Sequence, residues 1–222
     1  MNENNTFGRM LPQYSHGEEI MNMVTHIAGG GLGLLGTVFC IVTAVISGST
    51  LRTVCTAVYG CTILLVYTMS SVYHGLPRGK GKAILQVLDH CSIYFLIAGT
   101  YTPIVLCAIA PKYPGIGWGL FALQWTLTAL SVTLTAIDLH RYRIFSKICY
   151  IAMGWSIIFF LPQALDALGN IGFGFLLAGG IAYSIGAVLF GLGKRYKWMH
   201  SIFHIFVILG TMLQMVTVAF FL

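Results

Sequence analysis

Long apolar runs, broken only by short polar loops, constrain this chain more than any other feature. They fall at about residues 23–46, 54–73, 84–109, 116–137, 148–165, 172–192 and 198–222. At 1.5 Å per residue each is about long enough to cross a hydrocarbon core of roughly 30 Å. With 57% apolar and only 8% charged residues, the composition excludes an ordinary soluble domain. The expectation is an all-α membrane protein, a seven-transmembrane helix bundle over residues 19–222. A polar, flexible cytoplasmic tail at 1–18 precedes it.

The loops carry the charge. Twelve Lys and Arg against six acids give a net charge of +6, but these cations lie in short loops and form no soluble basic face, so nucleic acid is not an expected partner. Arg9, Arg78, Lys80, Lys82, Arg141, Arg143, Lys147, Lys194, Arg195 and Lys197 fall on one side of a seven-crossing chain, and only Arg52 and Lys112 on the other. That asymmetry predicts a cytoplasmic amino terminus and a carboxyl terminus outside. The first twenty residues carry Glu3, Arg9, Glu18 and Glu19 and do not read as a cleavable signal, so the first apolar run is expected to act as an uncleaved anchor. Cys40, Cys55, Cys61, Cys91, Cys107 and Cys149 show no zinc-ribbon or redox spacing and read as packing residues.

The polar residues inside the runs gather at one end. Glu19, Asn22, Thr25 and His26 open the first run, Ser70, Ser71 and His74 close the second, Asp89 and His90 open the third, and His200 and His204 open the last. An intramembrane carboxylate costs about 2.5–3.5 kcal/mol on insertion scales and therefore faces a polar cavity or a partner. His200 and His204, four residues apart, share one helix face about 6 Å apart along the axis. With His74 they make three imidazoles, the count of an open zinc site with water in the fourth position. Asp89 is then placed to orient that water and take its proton, and Ser70, one turn deeper than His74, to hydrogen-bond the water or a substrate oxygen. Bland alternatives stand beside each role. A single boundary histidine, such as His16, His90 or His140, is most often an interfacial hydrogen-bonding group. Asp89 can cap a helix or pair with a loop lysine, Ser70 can bond its own helix carbonyls, and Glu19 can simply suit a helix amino terminus.

Glu19-x-x-Asn22-x-x-Thr25-His26, Ser70-Ser71-x-Tyr73-His74, Leu88-Asp89-His90, Ala98-Gly99-Thr100-Tyr101-Thr102-Pro103 and His200-x-x-x-His204, in that order, resemble the hemolysin III family, the bacterial branch related to the progestin and adipoQ receptors. The resemblance implies seven helices, a multi-pass protein of the bacterial plasma membrane, and Zn2+ near the inner leaflet on His74, His200 and His204, with Asp89 and Ser70 around its water. Related branches are associated with ceramide hydrolysis, and bacterial members with hemolysis and membrane-lipid homeostasis.

The leading expectation is a zinc-dependent hydrolase of a lipid amide or ester, ceramidase-like, or a lipid-homeostasis regulator built on that chemistry, with membrane lipid as substrate or ligand. The alternatives are a receptor or sensor with a structural zinc, and a hemolysin-type cytolytic factor. A retinal protein is set aside because no lysine follows Lys197. A cation transporter is disfavoured because the charges cluster at one end rather than at the midplane.

Overall fold

A computed structural model describes residues 11–193 and 195–222. Its helices are α1 (His16–Ile46), α2 (Thr50–Gly75), α3 (Lys80–Pro103), α4 (Pro114–Ile137), α5 (Arg143–Trp155), α6 (Leu161–Leu192) and α7 (Met199–Phe220). A wide-turn segment, Ile104–Ile109, continues α3, and a tight one, Ser156–Phe160, joins α5 to α6. The described residues contain no strand. Of the expected tail, residues 1–10, and with them Arg9, lie outside the described residues, as does Lys194 in the α6–α7 loop. Residues 16–18 belong to α1, because Ser15 caps that helix and Glu18 completes a capping box with it.

Among the described residues, six helical stretches are long and apolar enough to cross a membrane: His16–Ile46, Thr50–Gly75, Lys80–Ile109, Pro114–Ile137, Arg143–Leu192 and Met199–Phe220. The expected fifth and sixth runs lie together in Arg143–Leu192, a stretch of 50 residues. Straight, it would measure about 75 Å, more than twice the hydrocarbon thickness. It is not straight. Pro162 has no N–H and its ring crowds the carbonyl four residues back, at Ile158, inside the tight segment. Gly169, with φ 67° and ψ 168°, then leaves the helical region altogether within α6.

The side chains are sorted as a lipid solvent requires. The buried face of α1 reads Glu18, Asn22, His26, Gly29, Gly33, Thr37, Cys40 and Ala44 at helical spacing, while Leu35, Val38, Val42 and Ile46 face outward. Polar and small groups inside with large aliphatics outside inverts the order of a water-soluble helix. The interior is held by close approach. A Cβ on Gly33 would sit 2.7 Å from Ile63 Cγ2, one on Gly29 2.8 Å from Tyr67 Cε1, and one on Gly99 would collide with Thr62. These contacts draw α1 onto α2 and α2 onto α3, while α7 packs between α6 and α1. The α1, α2 and α7 helices therefore meet around one axis, and that is where the site lies.

All six cysteines are free; Cys40, Cys55 and Cys91 are buried as packing residues, whereas Cys61 is exposed on the outer surface.

Candidate metal centre

His74 comes from the last turn of α2, and His200 and His204 from the first turns of α7. One ring nitrogen from each lies within 4.8 Å of the others, and all three residues are buried. Nε2 of His200 stands 3.3 Å from Nε2 of His74 and 3.1 Å from Nε2 of His204. The i, i+4 spacing aligns two imidazoles on one face of α7, and only the packing of α2 against α1 and α7 supplies the third.

Hydrogen bonds behind the rings decide which way the lone pairs point. Nδ1 of His74 lies 2.7 Å from Oε2 of Glu19, and a carboxylate only accepts, so Nδ1 carries the proton and Nε2 the lone pair. Nδ1 of His204 faces the backbone carbonyl of Asn22 at 3.2 Å, which assigns the same tautomer. Two lone pairs thus converge on Nε2 of His200. A proton there could satisfy one of them and would leave the other without a donor; a cation satisfies all three. The donor set, three neutral imidazoles backed by a carboxylate and a carbonyl, is one that could hold a metal ion.

The residues behind the triad form a connected shell. Glu19 also accepts from Lys82 Nζ at 2.8 Å, and that ammonium donates to the carbonyl oxygens of His74 at 3.3 Å and Leu76 at 3.0 Å. Lys82 is only 2% exposed. Read from the sequence as a loop cation, it instead lies in the first turn of α3, pairing an acid and capping the carbonyl end of α2. Asn22 accepts from the Ser201 hydroxyl at 2.6 Å through Oδ1, tying α1 to α7. His26, one turn deeper, packs with its ring centroid 3.7 Å from that of His204 and 5.2 Å from Tyr67. Neither of its nitrogens finds a partner among the described residues. Tyr14 stacks on His200 at 4.9 Å and 29° from the segment preceding α1.

Asp89 and Ser70 lie together. The Ser70 hydroxyl lies beside the Asp89 carboxyl, where α3 meets α2 one turn below His74, and Asp89 Oδ2 stands 3.9 Å from His90 Nδ1. Asp89 is not part of the converging ligand cluster among the described residues. His16 is exposed at the start of α1 and His140 lies in the α4–α5 loop. His90 bonds the carbonyl of Gln86. Glu19, Asn22 and His26 were visible in the sequence as a motif with no assigned role. Their i, i+3, i+7 spacing was the available signal, since it places all three on one face of the first helix. Tyr14 and Lys82 gave no such signal.

The fold and the buried imidazole triad define a multi-pass helical membrane protein with a candidate metal centre at one end of its bundle. Comparison with known proteins gives its family. A family profile described as "Haemolysin-III related" matches residues 14–215. The chain is 36% identical over 204 residues to "Hemolysin-3" of Bacillus cereus, covering 92% of this chain and 91% of that one. It is 34% identical over 204 residues to the "Hemolysin-3 homolog" of Bacillus subtilis (strain 168), covering 92% and 94%. Human "Monocyte to macrophage differentiation factor" is 24% identical over 159 residues, 68% of this chain and 63% of that one. The chain belongs to the haemolysin-III-related family.

Proposed function

We propose that this protein is a zinc-dependent hydrolase of a lipid amide or ester, or a regulator of membrane lipid built on that chemistry, with its site at the cytoplasmic leaflet of the bacterial plasma membrane. The observation that carries the reading is the convergence of the three Nε2 atoms, with the tautomers of His74 and His204 fixed from behind. A tetrahedral ion with Zn–N bonds of about 2.0–2.1 Å sets its ligand nitrogens about 3.3 Å apart, and the two separations given for His200 are 3.1 and 3.3 Å. Bound there, zinc would polarise a carbonyl and lower the pKa of water toward neutrality.

The chain's own residues supply the rest. His74, His200 and His204 would hold the ion, Glu19 and the Asn22 carbonyl keep two of those rings turned toward its place, and the Ser70 hydroxyl beside the Asp89 carboxyl would orient it. Asp89 is the general base, accepting a proton at its carboxylate oxygen. A site among α1, α2 and α7, with lipid-facing aliphatics outside, suits a substrate that arrives from the bilayer. The reading includes seven crossings, since the Gly169 turn divides the long stretch, and a cytoplasmic amino terminus from the asymmetry of loop cations.

The test is metal analysis of the purified full chain, followed by product analysis with defined lipid amides and esters. One bound zinc, with turnover abolished in Asp89→Ala, is expected. Turnover unchanged in both Asp89→Ala and His204→Ala refutes the mechanism. Zinc that stabilises the fold without any lipid product leaves the sensor reading instead. The name of the Bacillus cereus relative favours a cytolytic role as a second reading, which dye release from liposomes on adding purified protein would establish.

A further inference from the structure

Residues 11–15 cross the end of the bundle where the imidazoles meet, and several bonds hold them there. Arg78 donates to the carbonyl oxygens of Pro12 at 2.8 Å and Leu11 at 3.2 Å, and Leu11 is only 4% exposed. Tyr14 lies on His200 and 5.8 Å from the His74 ring, and burial beside Glu19 and Asp89 raises the pKa of its phenol above the ordinary value. On its other side Tyr14 lines a hollow of about 220 Å³, walled also by Gln13, Ser15, Glu18, Gly193, Arg195, Tyr196 and Lys197. One aromatic ring thus separates this hollow from the metal ligands.

The walls are brought together by an unusual turn. Trp198 adopts φ 67°, a left-handed conformation that a bulky L-residue rarely takes. It is held because its N–H donates to Oε1 of Glu18 at 2.8 Å. That turn brings Gly193 and residues 195–197 against residues 13–15 and sets the first turn of α7, which carries His200. Among the described wall residues Glu18 is the one acid: Oε1 accepts from Trp198, and Oε2 from the Ser15 N–H at 2.9 Å and hydroxyl at 2.8 Å, bonds that fix its position and leave its negative charge in place. Arg195 and Lys197 set two positive charges against that single negative one, which Lys197 already faces, so the described walls keep a net positive charge. The volume is below the roughly 300–1,000 Å³ of a drug-sized pocket, so it fits a headgroup rather than a whole lipid.

We propose that this hollow is a docking site for a phosphate-bearing group, held by Arg195 and Lys197, with Tyr14 as the partition between that group and the imidazole triad. The assignment rests on the reading of the triad as a metal centre, and it places the anionic part of a ligand on the aqueous side of that centre. Arg195 offers the planar fork that matches a phosphate, and Lys197 a point charge.

The experiment uses the full chain in dodecyl maltoside, which carries no phosphate, with inorganic phosphate or dioctanoyl phosphatidic acid as probes. Two readouts are followed: the thermal midpoint of metal-free protein, and the rate at which 1,10-phenanthroline withdraws zinc from loaded protein. The expected result is a raised midpoint and slower withdrawal with at least one probe. In the Arg195→Gln/Lys197→Gln variant the affinity for that probe falls roughly tenfold or more, the worth of one charge-assisted hydrogen bond. Protection by phosphatidic acid alone assigns a lipid source, and protection by inorganic phosphate assigns a free one. Tyr14→Ala keeps the midpoint shift but loses zinc faster with no probe present. The proposal is overturned if neither probe shifts the midpoint, or if the double variant responds like wild type. Protein that takes up no zinc refutes the metal reading, while the midpoint of the metal-free chain still judges the hollow.

Discussion

Replacing Glu19 with glutamine separates the metal centre from the charge clamp that holds it. In the native chain one carboxylate accepts from His74 Nδ1 at 2.7 Å and from Lys82 Nζ at 2.8 Å. Glutamine keeps an acceptor oxygen for His74 but turns its NH2 toward Lys82, donor against donor, and deletes the counter-charge of an ammonium that is 2% exposed. Two observables should respond. Loss of an outer-shell partner costs about 10–100-fold in metal affinity, or about 1.4–2.7 kcal/mol, and the stranded cation now opposes an incoming dication. Removing one member of a buried pair costs about 3–5 kcal/mol of stability. The lower end is expected, because the carbonyls of His74 and Leu76 still solvate Lys82. In Glu19→Gln/Lys82→Met the stranded charge is gone, so stability recovers in part while zinc affinity stays low. Zinc competition against a chromogenic chelator reads the first effect, and thermal unfolding of the metal-free protein reads the second. A Glu19→Gln variant that binds zinc like wild type, or stability effects at positions 19 and 82 that simply add, would refute the reasoning.

Four further outcomes follow from the same structure. His200→Ala removes the ligand whose Nε2 faces both others, so bound zinc should fall from one equivalent to a small fraction by elemental analysis with helix content by circular dichroism unchanged. Because all three imidazoles bind metal as neutral rings, zinc affinity should decline as pH falls, with protons taken up on release; pH-independent affinity in titration calorimetry would contradict the ligand set. Gly99→Ala drives a methyl into Thr62 and should destabilise by about 1–3 kcal/mol, whereas Gly31→Ala, with nothing within 4 Å of its Cβ, should melt like wild type. Topology reporters fused to each terminus should report opposite sides of the membrane; the same side would remove the seventh crossing.

Hydropathy and helical spacing carried much of this protein. Lipid leaves every backbone polar group to be satisfied within its own segment, so apolar runs of sufficient length are helices before any contact is known. The i, i+4 pair His200 and His204 shares a face for the same local reason, and the ordered motifs from Glu19 to His204 named the family. What lies outside that logic depends on how separate helices meet. The partnership of His74 with α7 needs glycines such as Gly29 and Gly33 to bring α1 onto α2, and spacing along one helix says nothing about it. Lys82 looked like a loop cation because a first-turn residue and a loop residue have the same local sequence; only the packing of α3 beside Glu19 buries it. Tyr14 precedes the first helix and has no periodicity to mark it, so its place on His200 was decided wholly by the tertiary fold. Local physics wrote the helices and one pair of ligands, and side-chain convergence across 126 residues of chain made them a centre.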